Sequence, residues 1–127
     1  MSECVTNGIR IQVRTQFLPA ESDATQQRFI FAYRIHIANE SDVPAKLETR
    51  HWIITDAWGR EEHVRGPGVV GETPRLEPGQ GFEYTSFCPL PTPTGQMRGS
   101  FQMVRDDGAR FDAQVATFYL IDPAHLN

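Results

Sequence analysis

The stretch RFIFAYRIHIAN, residues 28–39, decides the fold class of this 127-residue chain. Every second side chain from Phe29 to Ile37 is apolar. A period of two residues is typical of a β-strand and not of a helix. The opposite face also carries apolar side chains, so we expect a central strand that is covered on both faces. That face consists of Ile30, Ala32, Arg34, His36 and Ala38.

Six further segments are rich in alternating or β-branched residues, and turn residues separate them. No window of eleven or more residues shows helical periodicity. We therefore predict an all-β, immunoglobulin or fibronectin type III-like β-sandwich of about seven antiparallel strands, with a barrel as the alternative. The other six strands are predicted at residues 9–18, 46–56, 60–65, 81–88, 97–105 and 111–120.

Three details of this prediction can be checked in the structure. Trp52 on the third strand is expected to occupy the core, as in immunoglobulin-like domains. The proline-rich segment 89–95 is expected to cross between the sheets, because proline is excluded from sheet interiors. Alternation in the last strand assigns these side chains to the core: Phe111, Ala113, Val115, Thr117 and Tyr119.

Length and charge limit the class of protein. We expect residues 1–127 to form one domain, with residues 1–8 as a loose N-terminal tail. The net charge of −4 argues against a nucleic-acid partner. No segment has the about 20 apolar residues that a membrane helix needs, and no signal peptide is recognised. We therefore expect a cytoplasmic protein in which Cys4 and Cys88 are reduced.

Residues 65–95 hold six of the ten glycines and six of the nine prolines, and Gly66, Gly68 and Gly71 have G-x-G-x-x-G spacing. No helix follows them, which excludes a dinucleotide fingerprint, and no Lys-Ser/Thr follows, which excludes a P-loop. Two interpretations stay open. The loop is an anion nest for a phosphate, pyrophosphate or nucleotide, with Arg65 or Arg75 beside it, or it is a structural loop whose glycines have positive φ.

The residue types needed for catalysis or metal binding do not occur in a recognisable pattern. His36 and His51 are expected on adjacent strands, but no metal-binding spacing is present, and we predict neither a metal site nor a cofactor. Cys88 would be a reactive thiol only with a histidine beside it, and we expect a buried, inert thiol instead. No nucleophile, base and oxyanion hole can be assembled, so we predict a protein that is not an enzyme.

Aromatic side chains on outward strand faces suggest a partner surface. The candidates are Trp58, Phe87 and Phe118, with Trp52 as the alternative to Trp58. An edge strand of the sandwich is a second means of recruiting a protein by main-chain pairing. The opposing interpretation is that long loops cover both sheet faces.

The segments RHWIITDAWGR, residues 50–60, and GPGVVGETPRLEPGQGFEYTSFCPLPTPTGQMRGSF, residues 66–101, closely resemble the ApaG proteins of bacteria. The resemblance extends from about Val13 to Tyr119. It implies a fibronectin III-like all-β domain and includes the G-x-G-x-x-G spacing, but it carries over no catalytic residue.

The resemblance also implies a physiological setting. Bacterial members are often labelled as associated with Co²⁺/Mg²⁺ efflux, on the basis of resistance phenotypes. Their genes commonly lie beside those of a diadenosine-tetraphosphate hydrolase and a ribosomal RNA methyltransferase. Similar domains in eukaryotic F-box proteins and in a DNA-polymerase-δ-interacting protein resemble protein-binding modules.

Together these observations favour a non-enzymatic interaction module whose unknown protein partner acts in cation or nucleotide homeostasis. A small-ligand binder that holds a pyrophosphate or nucleotide at the GPGVVG loop is the alternative. A regulator that senses Co²⁺ or Mg²⁺ directly is a third hypothesis.

Overall fold

The structure is a computed structural model that describes residues 1–126, and in it two antiparallel β-sheets pack face to face. The first sheet has the strand order β1-β2-β3-β7 and the second β5-β4-β8-β9, with β6 added beside β4. The strands are β1 Ser2–Thr6, β2 Ile9–Phe17, β3 Phe29–Asn39, β4 Ala45–Asp56, β5 Glu61–Pro67, β6 Arg75–Leu76, β7 Gly81–Leu90, β8 Thr94–Val104 and β9 Arg110–Ile121. Single 3₁₀ turns occur at Pro19–Glu21, Ala24–Gln26 and Pro123–Leu126.

The predicted all-β sandwich is confirmed, and β3 has the predicted central place between β2 and β7. Within the described residues, no helix is long and apolar enough to cross a membrane. The connection from β7 to β8 passes from the first sheet to the second, as the prolines of residues 89–95 predict. Buried Thr92 fixes this crossing, since its hydroxyl accepts from the Ala57 N–H at 3.0 Å and donates to the Thr94 carbonyl at 2.8 Å.

Trp52 lies in the single hydrophobic core, as predicted, and is 3% exposed. Its ring meets those of Phe101 and Phe118 edge-on, at centroid distances of 5.7 and 5.8 Å, and the ring of Tyr33 at 5.6 Å. Edge-to-face contacts of this kind add to the free energy gained by burying the rings. The core therefore joins side chains of both sheets around one tryptophan.

The predicted loose tail at residues 1–8 is wrong, because Ser2–Thr6 is an edge strand that pairs with β2. Asn7 and Gly8 form the connecting turn with φ of +48° and +80°. An Asn-Gly pair is a strong hairpin signal, since both residues tolerate positive φ. The hydropathy pattern does not reveal this strand, because backbone pairing with β2 holds it in place and its apolar residue Val5 is exposed.

The expectation that Phe118 faces outward is also wrong. Met97 pairs with Phe118, whereas Gly99 pairs with Val115. An advance of two residues along β8 therefore corresponds to an advance of three residues along β9, which leaves one extra residue in β9. A bulge of this kind exchanges the two faces of the strand. Buried positions therefore change from Val115 to Phe118, which is 0% exposed, while Tyr119, assigned to the core by simple alternation, is 58% exposed.

Candidate functional site: an open cleft between the two sheets

The two sides of the sandwich differ. On the side of β1 and β9, the Gln114 N–H donates to Thr6 Oγ1 at 3.1 Å, and Thr15 Oγ1 donates to the Tyr119 carbonyl at 3.4 Å. A cavity of about 1020 Å³, lined by residues that include Phe17 and Tyr119, lies on this side. The opposite side, between β7 and the β4–β5 pair, holds a cavity of about 570 Å³ that we call the edge cleft. Its lining includes Tyr33, Arg50, Glu62, Val70, Tyr84 and Phe87.

The glycine loop, residues 66–71, forms part of the rim of this cleft. Each of its three glycines is required by a different feature of the structure. A Cβ on Gly66 would lie 3.0 Å from Arg50 Nη2, because the two residues face each other across β4 and β5. Gly68 has a φ of +59°, and a Cβ there would overlap the Glu72 carbonyl oxygen. Gly71, with a φ of +80°, lies in the tight turn that reciprocal hydrogen bonds between Val69 and Glu72 close at 2.8 and 2.9 Å.

The loop presents carbonyl groups to a cation. The Gly68 N–H donates to the Glu48 carbonyl at 2.8 Å and the Val69 N–H to that of Glu72, so neither amide is free to hold an anion. The carbonyls of Pro67 and Gly68 both accept from Arg50 Nη1, at 2.9 and 2.8 Å. The G-x-G-x-x-G spacing here therefore brings a guanidinium group against the backbone.

The two arginines predicted beside the loop are not brought together. Arg65 is exposed on the outer face of β5 beside Gly66, opposite His51. Arg75 pairs with the carboxylates of Asp106 and Glu77, and its hydrogen bond holds the pKa of Asp106 below the usual range. Arg75 thus ties β6 to the β8–β9 turn and does not serve the glycine loop.

Arg50, which pattern reasoning missed, is the cation that points into the cleft. It lies on the same face of β4 as Trp52, two residues away, so the alternation of strand 46–56 already carried the signal. On the facing sheet, Tyr33 lies opposite Ser86, and Tyr84 follows on the same face of β7. Burial raises the pKa of both phenols, and the positive charge of Arg50 acts in the opposite direction on each.

Cys88 lines the same cleft but is buried. Burial, and then the charge of Glu62, raise the pKa of its thiol to about 12. A thiol is nucleophilic as the thiolate, so at neutral pH this group is held in its unreactive form.

We expect Cys4 and Cys88 to react with dithionitrobenzoate at very different rates at pH 8. Cys4 is partly exposed, whereas Cys88 should react at least about 100-fold more slowly, because reaction requires both opening and deprotonation. A stopped-flow trace should show one fast thiol, and the Cys4→Ser variant should lose that phase alone. A fast phase that survives in Cys4→Ser would contradict the assignment.

His36 and His51, which were expected on adjacent strands, lie in different sheets. His36 lies in the first sheet and His51 in the second, where His51 Nε2 is 2.9 Å from His63 Nδ1. Burial, Arg65 and His63, in that order, lower the pKa of His51. In the described part of the chain, no three His, Cys, Asp or Glu residues are grouped to hold a metal ion.

Two of the three predicted partner-surface residues are exposed, in different places. Trp58 lies on the β4–β5 turn, with the Arg60 guanidinium 4.5 Å from its ring centroid. Phe87 is 61% exposed on β7, at the rim of the edge cleft. Val70 lines the same cleft and is 55% exposed, with a φ of +44°. A β-branched residue with positive φ is a true outlier.

Comparison with known proteins gives consistent results. The model of the ApaG domain matches residues 19–105. Protein ApaG of Anaeromyxobacter dehalogenans strain 2CP-1 is 55% identical over 127 residues, which is all of both chains. The crystal structure of the putative ApaA protein from Bordetella pertussis is 47% identical and has a TM-score of 0.88, with 91% of this chain and 94% of that chain covered. The C-terminal domain of wzt, at 12% identity and a TM-score of 0.56 over 94% and 76% of the chains, shares the fold alone.

Proposed function

The chain belongs to the ApaG domain family, and from this premise we propose that it is a non-enzymatic interaction module that receives an extended segment of a protein partner at the edge cleft. The resemblance to proteins associated with Co²⁺ and Mg²⁺ resistance favours a cytoplasmic partner that acts in cation homeostasis.

The single observation that carries the proposal is Val70. An L-residue in left-handed backbone costs about 1–2 kcal/mol, and more than half of this side chain is exposed to solvent. The conformation of Val70 therefore lowers the stability of the fold, and burial of its side chain does not compensate for this. Strain held at a surface apolar residue is typical of binding sites, and Phe87 lines the same cleft as Val70.

The strand next to the cleft suits an extended segment. β7 is one of the two outer strands of the first sheet and pairs only with β3 among the described strands. Its other side therefore presents backbone N–H and carbonyl groups that a partner strand can pair with. Phe87 and Val70 then supply apolar contact to alternate side chains of that segment.

The test is a capture experiment from a cytoplasmic extract with three variants of the immobilised chain. Val70→Asn should raise the free energy of unfolding by about 1 kcal/mol, because asparagine tolerates positive φ, and should lose the partner nonetheless. Phe87→Ser should also lose it. Tyr119→Ser is the matched control, since Tyr119 is about equally exposed but lies on the opposite side of the sandwich, where it lines a separate cavity.

Proteins retained by the unmodified chain and by Tyr119→Ser, but lost by both cleft variants, are then purified and titrated by calorimetry. A stoichiometric complex weakened by the cleft variants alone supports the proposal. If no protein is retained, or if Tyr119→Ser loses the same proteins as Phe87→Ser, the edge cleft is not a partner site.

A further inference from the structure

The edge cleft is lined by a cation that forms no salt bridge within the described residues. Arg50 lines this cleft, and within the described residues Nη1 is the one guanidinium nitrogen that donates a hydrogen bond, to the two loop carbonyls. No carboxylate within residues 1–126 forms a salt bridge with it. The desolvation of a partly buried cation is less fully compensated when no carboxylate pairs with it directly.

A second, independent observation lies on the facing sheet. Tyr84 is 8% exposed, and its hydroxyl has no hydrogen-bond partner in the described chain. Tyr84 lines the same cleft as Arg50, together with Tyr33 and Ser86. Buried hydroxyls are nearly always paired, so an orphan needs an explanation. Within the described residues, the Tyr84 hydroxyl has no acceptor, and Nε and Nη2 of the Arg50 guanidinium, which lines the same cavity, have none either.

We propose that the cleft binds a carboxylate of the partner segment, held between the free edge of the Arg50 guanidinium and the Tyr84 hydroxyl. This inference rests on the proposed function and names the chemistry that the partner must bring. A carboxylate accepts from both donors, and charge-assisted hydrogen bonds of this type are the strong ones.

The charges present favour a carboxylate over a phosphate. Nη1 of Arg50 is already committed to the loop, and Glu62 lines the same cleft. One guanidinium edge balances a single negative charge, whereas a dianionic phosphate would stand unbalanced near the Glu62 carboxylate. The apolar rim of Phe87 and Val70 then specifies an acidic residue flanked by apolar ones.

The probe is a displayed library of random seven-residue peptides in three sets. One set has a central glutamate with blocked ends, the second a central glutamine with blocked ends, and the third a central glutamine with a free C-terminus. Enriched peptides are synthesised, titrated against the full chain and mapped by amide chemical shifts.

We expect the glutamate set to be enriched, and its peptides to bind about tenfold more tightly than their glutamine versions. Arg50→Gln should remove that preference. Tyr84→Phe keeps the ring and should reduce the preference for glutamate over glutamine several-fold. The free energy of unfolding should not fall, because the lost hydroxyl had no hydrogen-bond partner. Arg65→Gln is the control, since Arg65 lies on the outer face of β5.

The outcomes separate this inference from the proposed function. Enrichment of the free C-terminal set supports the same carboxylate site with the chain terminus as the source. Glutamate and glutamine peptides that bind equally, with shifts at β7, would overturn the carboxylate inference and leave the interaction module standing. If no set shifts the amides of β7 or residues 67–71, both proposals fail together.

Discussion

Replacing Phe118 by alanine should lower the free energy of unfolding by about 3–5 kcal/mol, the range for a fully buried phenylalanine. The side chain is completely buried and packs between Trp52 and Tyr33, at centroid distances of 5.8 and 5.9 Å. Its removal would leave a cavity where the two sheets meet, and a close-packed core fills such a cavity poorly. Urea denaturation followed by tryptophan fluorescence measures the loss.

Tyr119→Ala is the matched control for this prediction. The two residues are neighbours on β9, and simple alternation assigns the core position to Tyr119 and the surface to Phe118. The bulge opposite Met97 and Gly99 reverses that assignment. We expect Tyr119→Ala to cost less than about 1 kcal/mol, as exposed positions usually do. Equal losses in the two variants would show that β9 does not have this register.

Gly68→Ala should lower the free energy of unfolding by about 2–5 kcal/mol, as the sum of two costs. Left-handed backbone costs an L-residue about 1–2 kcal/mol, and a forced overlap in a packed region typically costs about 1–3 kcal/mol more. The overlap is with the Glu72 carbonyl oxygen, a backbone atom that cannot rotate away. The same denaturation experiment measures the change.

The other glycines of the loop provide the controls. Gly71 also has positive φ, but a Cβ there would meet no atom within 4 Å, so Gly71→Ala carries the backbone cost alone. At Gly66 the close atom is Arg50 Nη2, at the end of a flexible side chain that can move. We therefore expect Gly68→Ala to be the most destabilising of the three. A loss at Gly68 no larger than at Gly71 would refute this account of the spacing.

The fold could be predicted from the sequence because seven strands carry hydropathy signals of their own. The strands that were missed have none: β1 is held by pairing with β2, and β6 is two residues long. The reversal at Phe118 was also out of reach, since a bulge is a property of two paired strands and neither Ala116 nor Thr117 identifies it. Pattern reasoning thus succeeds where one strand's chemistry is sufficient.

The candidate site was harder to predict than the fold, because it depends on contacts between strands that the sequence of a single strand does not show. Phe87 was selected from its outward position and Cys88 was expected to be inert, and the structure places both as those expectations require. Arg50 and Tyr84 were missed, because they become a pair only when the two sheets face each other. The glycine spacing was conspicuous, yet its reason lies in Arg50 and Glu72, which are contacts of the folded chain.

The open edge of β7 also has a consequence for self-association. An unpaired edge is a template on which copies of a chain can polymerise. Pro89, near the end of β7, has no N–H to donate, and Gly81 begins the strand. A ladder along this edge is therefore confined to about seven residues, with the charge of Glu83 within it. That length accommodates a short peptide, and the charged side chain of Glu83 in the ladder opposes pairing of this edge with the same edge of a second copy.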